Sequence, residues 1–86
     1  MSGKPISLSG HAREQAAYRG ASEDEIRETI LGQAWGLTGH GRNECRKDFV
    51  FGGVWNGKTY ATKQVHPIFV EEPNEIAVVT VYVYYF

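Results

Sequence analysis

The segment YATKQVHPIFV at residues 60–70, followed by EEPNE at 71–75 and IAVVTVYVYY at 76–85, determines the predicted centre of the fold. Both long segments are rich in β-branched and aromatic residues, which favour strands. The short segment between them contains Pro73 and Asn74, which are typical of turns. We therefore predict an antiparallel hairpin made of two long strands.

The side chains of this hairpin separate into two different faces if Val70 pairs with Ile76. On the polar and aromatic face, His66 then lies opposite Thr80, Gln64 opposite Tyr82 and Thr62 opposite Tyr84. The aliphatic face would hold Val65, Phe69, Val79, Val81 and Val83. A slip of one residue would instead bring Lys63 to the face of Thr80 and Tyr82. The register thus decides whether Lys63 or His66 faces a site on this hairpin.

Two capped helices are predicted before the strands. Ser9 is a favourable N-cap for a helix that runs to about Tyr18, and Gly20 provides a left-handed end. Ser22 and the acidic residues after it form a capping box for a second helix, which ends at Gly32. The apolar residues predicted for the helix faces are Leu8, Ala12, Ala16, Ile26, Ile30 and Leu31.

Two weaker strands are predicted between the second helix and the hairpin, at residues 35–38 and 45–50. The first precedes the glycine-rich residues 39–41, and Gly52-Gly53 ends the second. The prediction is therefore a single α+β domain, residues 1–86 with a core of about 6–85. In it, two N-terminal helices are followed by a four-stranded antiparallel sheet.

The composition restricts the classes of function. The 86 residues carry a formal net charge of −1, so contact with nucleic acid has to be local, because proteins that bind phosphates broadly are usually basic. Cys45 is the sole cysteine and can form no internal disulfide. No apolar run approaches the roughly 18 residues of a membrane span, and residues 1–6 do not resemble a signal peptide. We expect no membrane partner.

His11 is the first candidate for chemistry. It lies about two residues inside the first predicted helix, where free N–H groups favour anions and disfavour an imidazolium. A neutral imidazole at this position suits a general base beside a phosphate. The alternative interpretation is a solvated or packing histidine.

The polar hairpin face is the second candidate, because tyrosine rings on a sheet can stack a nucleic-acid base. An ordinary half-exposed sheet face is the alternative, since tyrosine and threonine are good strand formers. Basic residues are scattered through the sheet half, where they indicate either a positive groove or a solvated surface: Arg42, Arg46, Lys47, Lys58 and Lys63. The histidines and Cys45 lack metal-ligand spacing, so neither a metal site nor a cofactor is predicted.

Several short motifs together resemble a family of small domains. They are His11-Ala12, Arg19-Gly20-Ala21-Ser22 with Glu25-Ile26, Lys63-Gln64-Val65 and Val79-Thr80-Val81-Tyr82. From about residue 6 to residue 85 the chain resembles the DUF4258 domains, which look like relatives of the RelE/ParE and barnase–EndoU–colicin-like toxin ribonucleases. The resemblance implies a RelE-like or microbial ribonuclease-like fold. It also implies metal-independent RNA cleavage, in which the ribose 2′-hydroxyl attacks the adjacent phosphate.

The resemblance also implies roles for individual residues. The catalytic set would be His11 as base or acid, Lys63 as the cation that stabilises the phosphorane, and Thr80 and Tyr82 to position the phosphate or donate a proton. The substrate-binding set would be Arg19, Arg46, Gln64, His66 and Tyr84. Arg19 or Arg46 would act with Lys63 in stabilising the phosphorane.

The partners implied are RNA, such as tRNA or mRNA, and an antitoxin or immunity protein. The site of action would be the cytoplasm, whether the chain acts as it stands or is released from a larger exported toxin. Two alternatives stay open: a non-catalytic module that binds another protein, and a domain of the same fold that binds RNA without cutting it.

Overall fold

The structure is a computed structural model that describes residues 3–86. Its elements are β1 (Ile6–Leu8), α1 (Gly10–Arg19), α2 (Glu23–Gly32), β2 (Gly36–Leu37), β3 (Asn43–Glu44), β4 (Lys47–Trp55), β5 (Lys58–Glu71) and β6 (Ile76–Tyr85). The strands form one sheet in the order β1-β6-β5-β3-β2. β3 and β4 both pair with the same edge of β5, β3 with its second half and β4 with its first half. Both helices pack on the same face of this sheet.

The α+β class is confirmed, but the predicted four-stranded antiparallel sheet is wrong. The sheet is mixed and has six strands, because β1 pairs in parallel with the start of β6. Two backbone hydrogen bonds extend this pairing: Ile76 N–H donates to the Pro5 carbonyl and Ser9 N–H donates to the Val78 carbonyl. A strand therefore precedes the two helices, and α1 begins directly after it.

Pro67 divides one potential strand into β3 and β4. The pairs on either side of the interruption belong to a single register, Glu44–Ile68 and Lys47–Val65. Thr62 exchanges both backbone hydrogen bonds with Phe86, on the side of the neighbouring β6. Successive residues of a strand direct their backbone groups to opposite sides, so the backbone of Pro67, five residues later, faces β3 and β4. Proline has no N–H to donate there, and the ladder stops beside Cys45 and Arg46.

β4 and β5 form a second hairpin, which extends beyond the strand predicted at residues 45–50. Its two-residue turn is Asn56-Gly57, with φ angles of 49° and 79°, which identifies a type I′ turn. The Gly52-Gly53 pair does not end the strand, since β4 continues through it with a shift in register between Val50 and Gly53. Gly52 has a φ of 57°, a conformation that favours glycine and suits a bulge.

The predicted Val70–Ile76 pairing in the β5–β6 hairpin is also wrong. Val70 pairs with Ala77, and beyond a bulge next to Phe69 the strands are displaced further, so that His66 lies opposite Tyr82. At His66 the observed pairing differs from the predicted one by two residues, so the same side chains still share each face of the hairpin. At the bulge itself, Val78 rather than Val79 enters the core.

The core lies between the two helices and the sheet. Small residues of α1 allow that helix to approach β6 closely, and the branched residues of α2 fill the space above β5. The core cluster consists of Leu8, Ala12, Ala16, Ala21, Ile26, Ile30, Cys45, Val65, Phe69, Ile76, Val78 and Val81. The opposite face of the sheet carries no helix of the described chain.

Candidate functional site

The face of the sheet opposite both helices is the candidate site, and we call it the open face. Three rows of side chains cross it from the β3 and β4 edge to β6. The rows are Glu44, Ile68 and Thr80; Arg46, His66 and Tyr82; and Asp48, Gln64 and Tyr84. Strand alternation places them together, because the intervening residues of β5 and β6 point into the core. His66 lies at the centre of these rows.

Two tyrosine rings of β6 are exposed on the open face. Tyr82 is 40% exposed and Tyr84 is 43% exposed. Each ring has a guanidinium group above it: Cζ of Arg19 is 5.1 Å from the Tyr82 ring centroid, and Cζ of Arg46 is 6.0 Å from that of Tyr84. The face therefore presents two aromatic surfaces, each beside a fixed positive charge.

Arg19 reaches the open face around the edge of the sheet. It is the last residue of α1, on the helix-covered side, and its Nη1 donates a hydrogen bond of 2.8 Å to the Val81 carbonyl. β1 pairs with β6 only as far as Val78, so within the described residues no strand lies beside the Val81 carbonyl. The hydrogen bond holds the guanidinium group beside Tyr82.

His66 and Glu44 form a polar pair within the open face. Nε2 of His66 lies 2.7 Å from Oε1 of Glu44, and the side chains are 7% and 31% exposed. A carboxylate partner places a proton on Nε2. Nδ1 of His66 is buried and has no hydrogen-bond partner in the described residues. The His66 ring lies 5.8 Å from the Tyr82 ring and 6.2 Å from the Tyr84 ring.

The charge of the open face is balanced. Arg19 and Arg46 contribute two positive charges, and Glu44 and Asp48 contribute two negative ones. Asp48 accepts a hydrogen bond of 2.8 Å from Nε2 of Gln64, which ties the third row together. A ligand of this face would therefore be held by ring stacking and local guanidinium contacts rather than by a broad positive potential.

The structure brings most of the predicted site residues together. Those at the open face are Arg19, Arg46, Gln64, His66, Thr80, Tyr82 and Tyr84. His11 and Lys63 lie elsewhere. His11 is exposed near the start of α1 and takes part in no side-chain hydrogen bond or ion pair with residues 3–86.

Lys63 points to the helix-covered face of the sheet, whereas His66 points to the open face. Its Nζ donates to Oε1 of Glu25 and to the carbonyl of Gly20, both at 2.9 Å. The Lys63 side chain is only 11% exposed. Burial raises the pKa of Glu25, but the Ser22 backbone N–H and the Lys63 ammonium group lower it more, so its pKa lies below the ordinary value.

Glu44 and Asp48 are members of the open face that the sequence reasoning missed. The signal that points to them is the alternation of charged residues at Glu44, Arg46 and Asp48, which is the spacing of one strand face. That signal locates the site only when the pairing with β5 is known. Glu44 adds to the site a carboxylate next to an imidazole.

The open face is a shallow surface. Residues 3–86 enclose no pocket and contain no group of three or more side chains suited to hold a metal ion. In the same residues, no helix is long and apolar enough to cross a membrane. The chemical groups available to a ligand are therefore those that the open face displays directly.

Similarity to other proteins supplies no function for this face. Comparison of the chain with family models, with curated proteins and with solved structures finds no match.

Proposed function

We propose that this chain is an RNA-binding domain of the toxin-ribonuclease type, which holds a single strand on its open face and cleaves it without a metal ion. The observation that carries the proposal is the pair of exposed rings, Tyr82 and Tyr84, with Arg19 and Arg46 above them. Base stacking on an aromatic ring contributes about 1–3 kcal/mol per base in single-strand binding.

The spacing of the two rings suits an unpaired strand. Tyr82 and Tyr84 are two residues apart on β6, so their attachment points are separated by about 6.6 Å. Stacked bases of a duplex lie only about 3.4 Å apart along the axis. Two consecutive bases must therefore separate to occupy both rings, which is feasible for single-stranded RNA but not within a duplex.

The groups of the open face also suit cleavage by the ribose 2′-hydroxyl. In this chemistry the nucleophile belongs to the RNA, so the protein supplies a base, an acid and a cation. A carboxylate, an imidazole, a phenol and two guanidinium groups lie on neighbouring rows of the open face. The resemblance to toxin ribonucleases supports the same reaction, acting on tRNA or mRNA in the cytoplasm and inhibited by an antitoxin or immunity protein.

A domain that binds RNA without cutting it is the second candidate function. Two observations favour it: Lys63 is held by Glu25 on the opposite face, and His11 belongs to the helix layer. In that case Tyr82 and Tyr84 would bind the strand, and no proton transfer would follow.

A binding and cleavage assay tests both candidates. The purified chain is incubated, in the presence of EDTA, with a labelled single-stranded RNA and with the DNA of the same sequence. The first candidate predicts cleavage of the RNA alone, because the DNA lacks the 2′-hydroxyl. Binding of RNA without cleavage would favour the second candidate, and absence of both would reject the two together.

Substitution of the rings tests the location. Replacing Tyr82 and Tyr84 by alanine should weaken RNA binding at least tenfold, since each stacked base is lost. Tyr18→Ala is the matched control, because Tyr18 is 83% exposed on α1.

The salt dependence of binding is a second test of the location. With two guanidinium groups at the face, a plot of the logarithm of affinity against the logarithm of salt concentration should have a slope of about −1.4. A slope several times steeper would place the RNA elsewhere.

A further inference from the structure

We infer that Glu44 is the general base of the proposed ribonuclease and that His66 is the residue that positions it. This inference rests on the proposed function, and it assigns to Glu44 the proton transfer for which His11 is the sequence-based candidate. Glu44 Oε1 is bonded to His66 Nε2 at 2.7 Å. The second carboxylate oxygen of Glu44 is left for the substrate, and the side chain is 31% exposed.

The neighbours of Glu44 leave its carboxylate accessible. On one side, β2 pairs Glu44 with Gly36, which has no side chain. On the other side, β5 presents the imidazole of His66. Two charged residues close to it in sequence are Arg42 and Arg46, each two residues from Glu44. Glu44 therefore has one imidazole as its hydrogen-bond partner, two guanidinium groups nearby in the sequence, and a side chain that is 31% exposed.

His66 orients Glu44 through one hydrogen bond. Its Nε2–H donates to the carboxylate, and its Nδ1 is buried without a partner among the described residues. Because the His66 side chain is only 7% exposed, its ring holds one carboxylate oxygen of Glu44 in place and leaves the other oxygen for the substrate.

Tyr82 lies on the other side of His66 and completes the set. Glu44 and Tyr82 come from the two strands that flank β5, so one strand separates them. Neighbouring strands are about 4.8 Å apart, which leaves room for a phosphate between an acid and a base on the two outer strands. The Arg19 guanidinium group, 5.1 Å from the Tyr82 ring, supplies positive charge at that place.

The reaction then balances as a transesterification. Glu44 takes the proton of the 2′-hydroxyl, the O2′–P bond forms and the P–O5′ bond breaks. The phenolic proton of Tyr82 passes to the departing O5′. The products are a 2′,3′-cyclic phosphate and a 5′-hydroxyl end, and exchange with water returns Glu44 and Tyr82 to their starting states.

Glu44→Gln tests the assignment of the base. Cleavage of a short RNA by the variant should fall by about a hundredfold to ten-thousandfold, which is the usual contribution of a general base. Its RNA affinity and circular dichroism should stay those of the wild type. Glu44→Asp restores a carboxylate and should recover part of the rate. Glu14→Gln, on the exposed side of α1, is the control and should cleave as the wild type does.

A comparison of kcat with KM tests the role of His66. His66→Gln keeps a donor for Glu44 and should retain most of the wild-type kcat, whereas His66→Phe should lower kcat at an unchanged KM. Equal kcat values for the two variants would contradict the positioning role. Wild-type cleavage by Glu44→Gln would overturn the inference and leave the proposed function standing. Failure of the wild-type chain to cleave any RNA would reject both.

Discussion

The ammonium group of Lys63 is hydrogen-bonded to the carboxylate of Glu25 at 2.9 Å, beneath the junction of the two helices. The same ammonium group donates to the Gly20 carbonyl, and the two side chains are 11% and 23% exposed. Glu25 also closes the capping box of α2 by accepting from the Ser22 backbone N–H. One carboxylate thus joins the start of α2 to the central strand β5.

Glu25→Gln should reduce the free energy of unfolding by about 2 kcal/mol. The amide oxygen can still accept from Ser22, but the largely buried Lys63 loses its counter-charge, and an unpaired buried charge is costly. Urea unfolding measures the change. Glu28→Gln, an exposed change on the same helix, should remain within about 0.5 kcal/mol of the wild type. Equal stabilities of the two variants would contradict this role of the ion pair.

The contribution of Glu25 should disappear in acid. Its pKa in the folded chain lies below the ordinary value of 4.5, because hydrogen bonding to Ser22 and the charge of Lys63 outweigh burial. The unfolded state therefore binds the proton first as pH falls, and the stabilisation is complete above pH 4.5 and lost through the lower, folded-state pKa. The stability difference between wild type and Glu25→Gln, followed by urea unfolding from pH 7 downward, should shrink in that range. A difference that is independent of pH would contradict the sign.

Gly20→Ala should destabilise the chain by about 2 kcal/mol or more. Gly20 has a φ of 87°, which costs other residues about 1–2 kcal/mol. A Cβ here would also collide with the Tyr85 hydroxyl and lie 2.9 Å from the Trp55 ring. Thermal unfolding provides the measurement. At Gly32 a Cβ would meet nothing within 4 Å, so Gly32→Ala should be neutral or slightly stabilising.

Cys45 should be unreactive in the folded chain. Burial, together with the negative charge of Glu44, raises the pKa of its thiol to about 11. At pH 8 the thiolate is therefore scarce, and the sulfur is enclosed by the core, where it lies 3.6 Å from the Thr29 carbonyl. Ellman's reagent should label Cys45 slowly in buffer and rapidly in 6 M guanidinium chloride. Rapid labelling of the folded chain would show that the β3–β4 junction opens.

The helices and the last strand could be predicted from the sequence because their signals are local. Ser9 and Ser22 are the observed N-caps, Gly20 is the observed left-handed end, and β6 has its predicted bounds. The Asn56-Gly57 turn was not predicted, although this dipeptide between two strands is a strong hairpin signal. These features depend on neighbours within a few residues.

The remaining elements depend on distant partners. The three residues of β1 are too few to show a period, and their partner strand begins at Ile76. Pro67 lies in β5 but interrupts the strand that pairs with it. This interruption cannot be predicted without knowing which residues of the two strands are paired. The open face could be predicted in part, because a change of two residues in the pairing of β5 with β6 leaves the same side chains on each face. Its pairing of Glu44 with His66 could not, since those residues belong to different strands.

The parallel pairing of β1 with β6 has a consequence for how the chain reaches its native state. Ile6 and Ile76 become neighbours only by closing a loop that contains almost the whole molecule. The entropic cost of closing a loop rises slowly with its length, and contacts between distant residues slow folding. The helices and hairpins can form from nearby residues, so the docking of β1 would be the last event of folding and the first to reverse under denaturing stress.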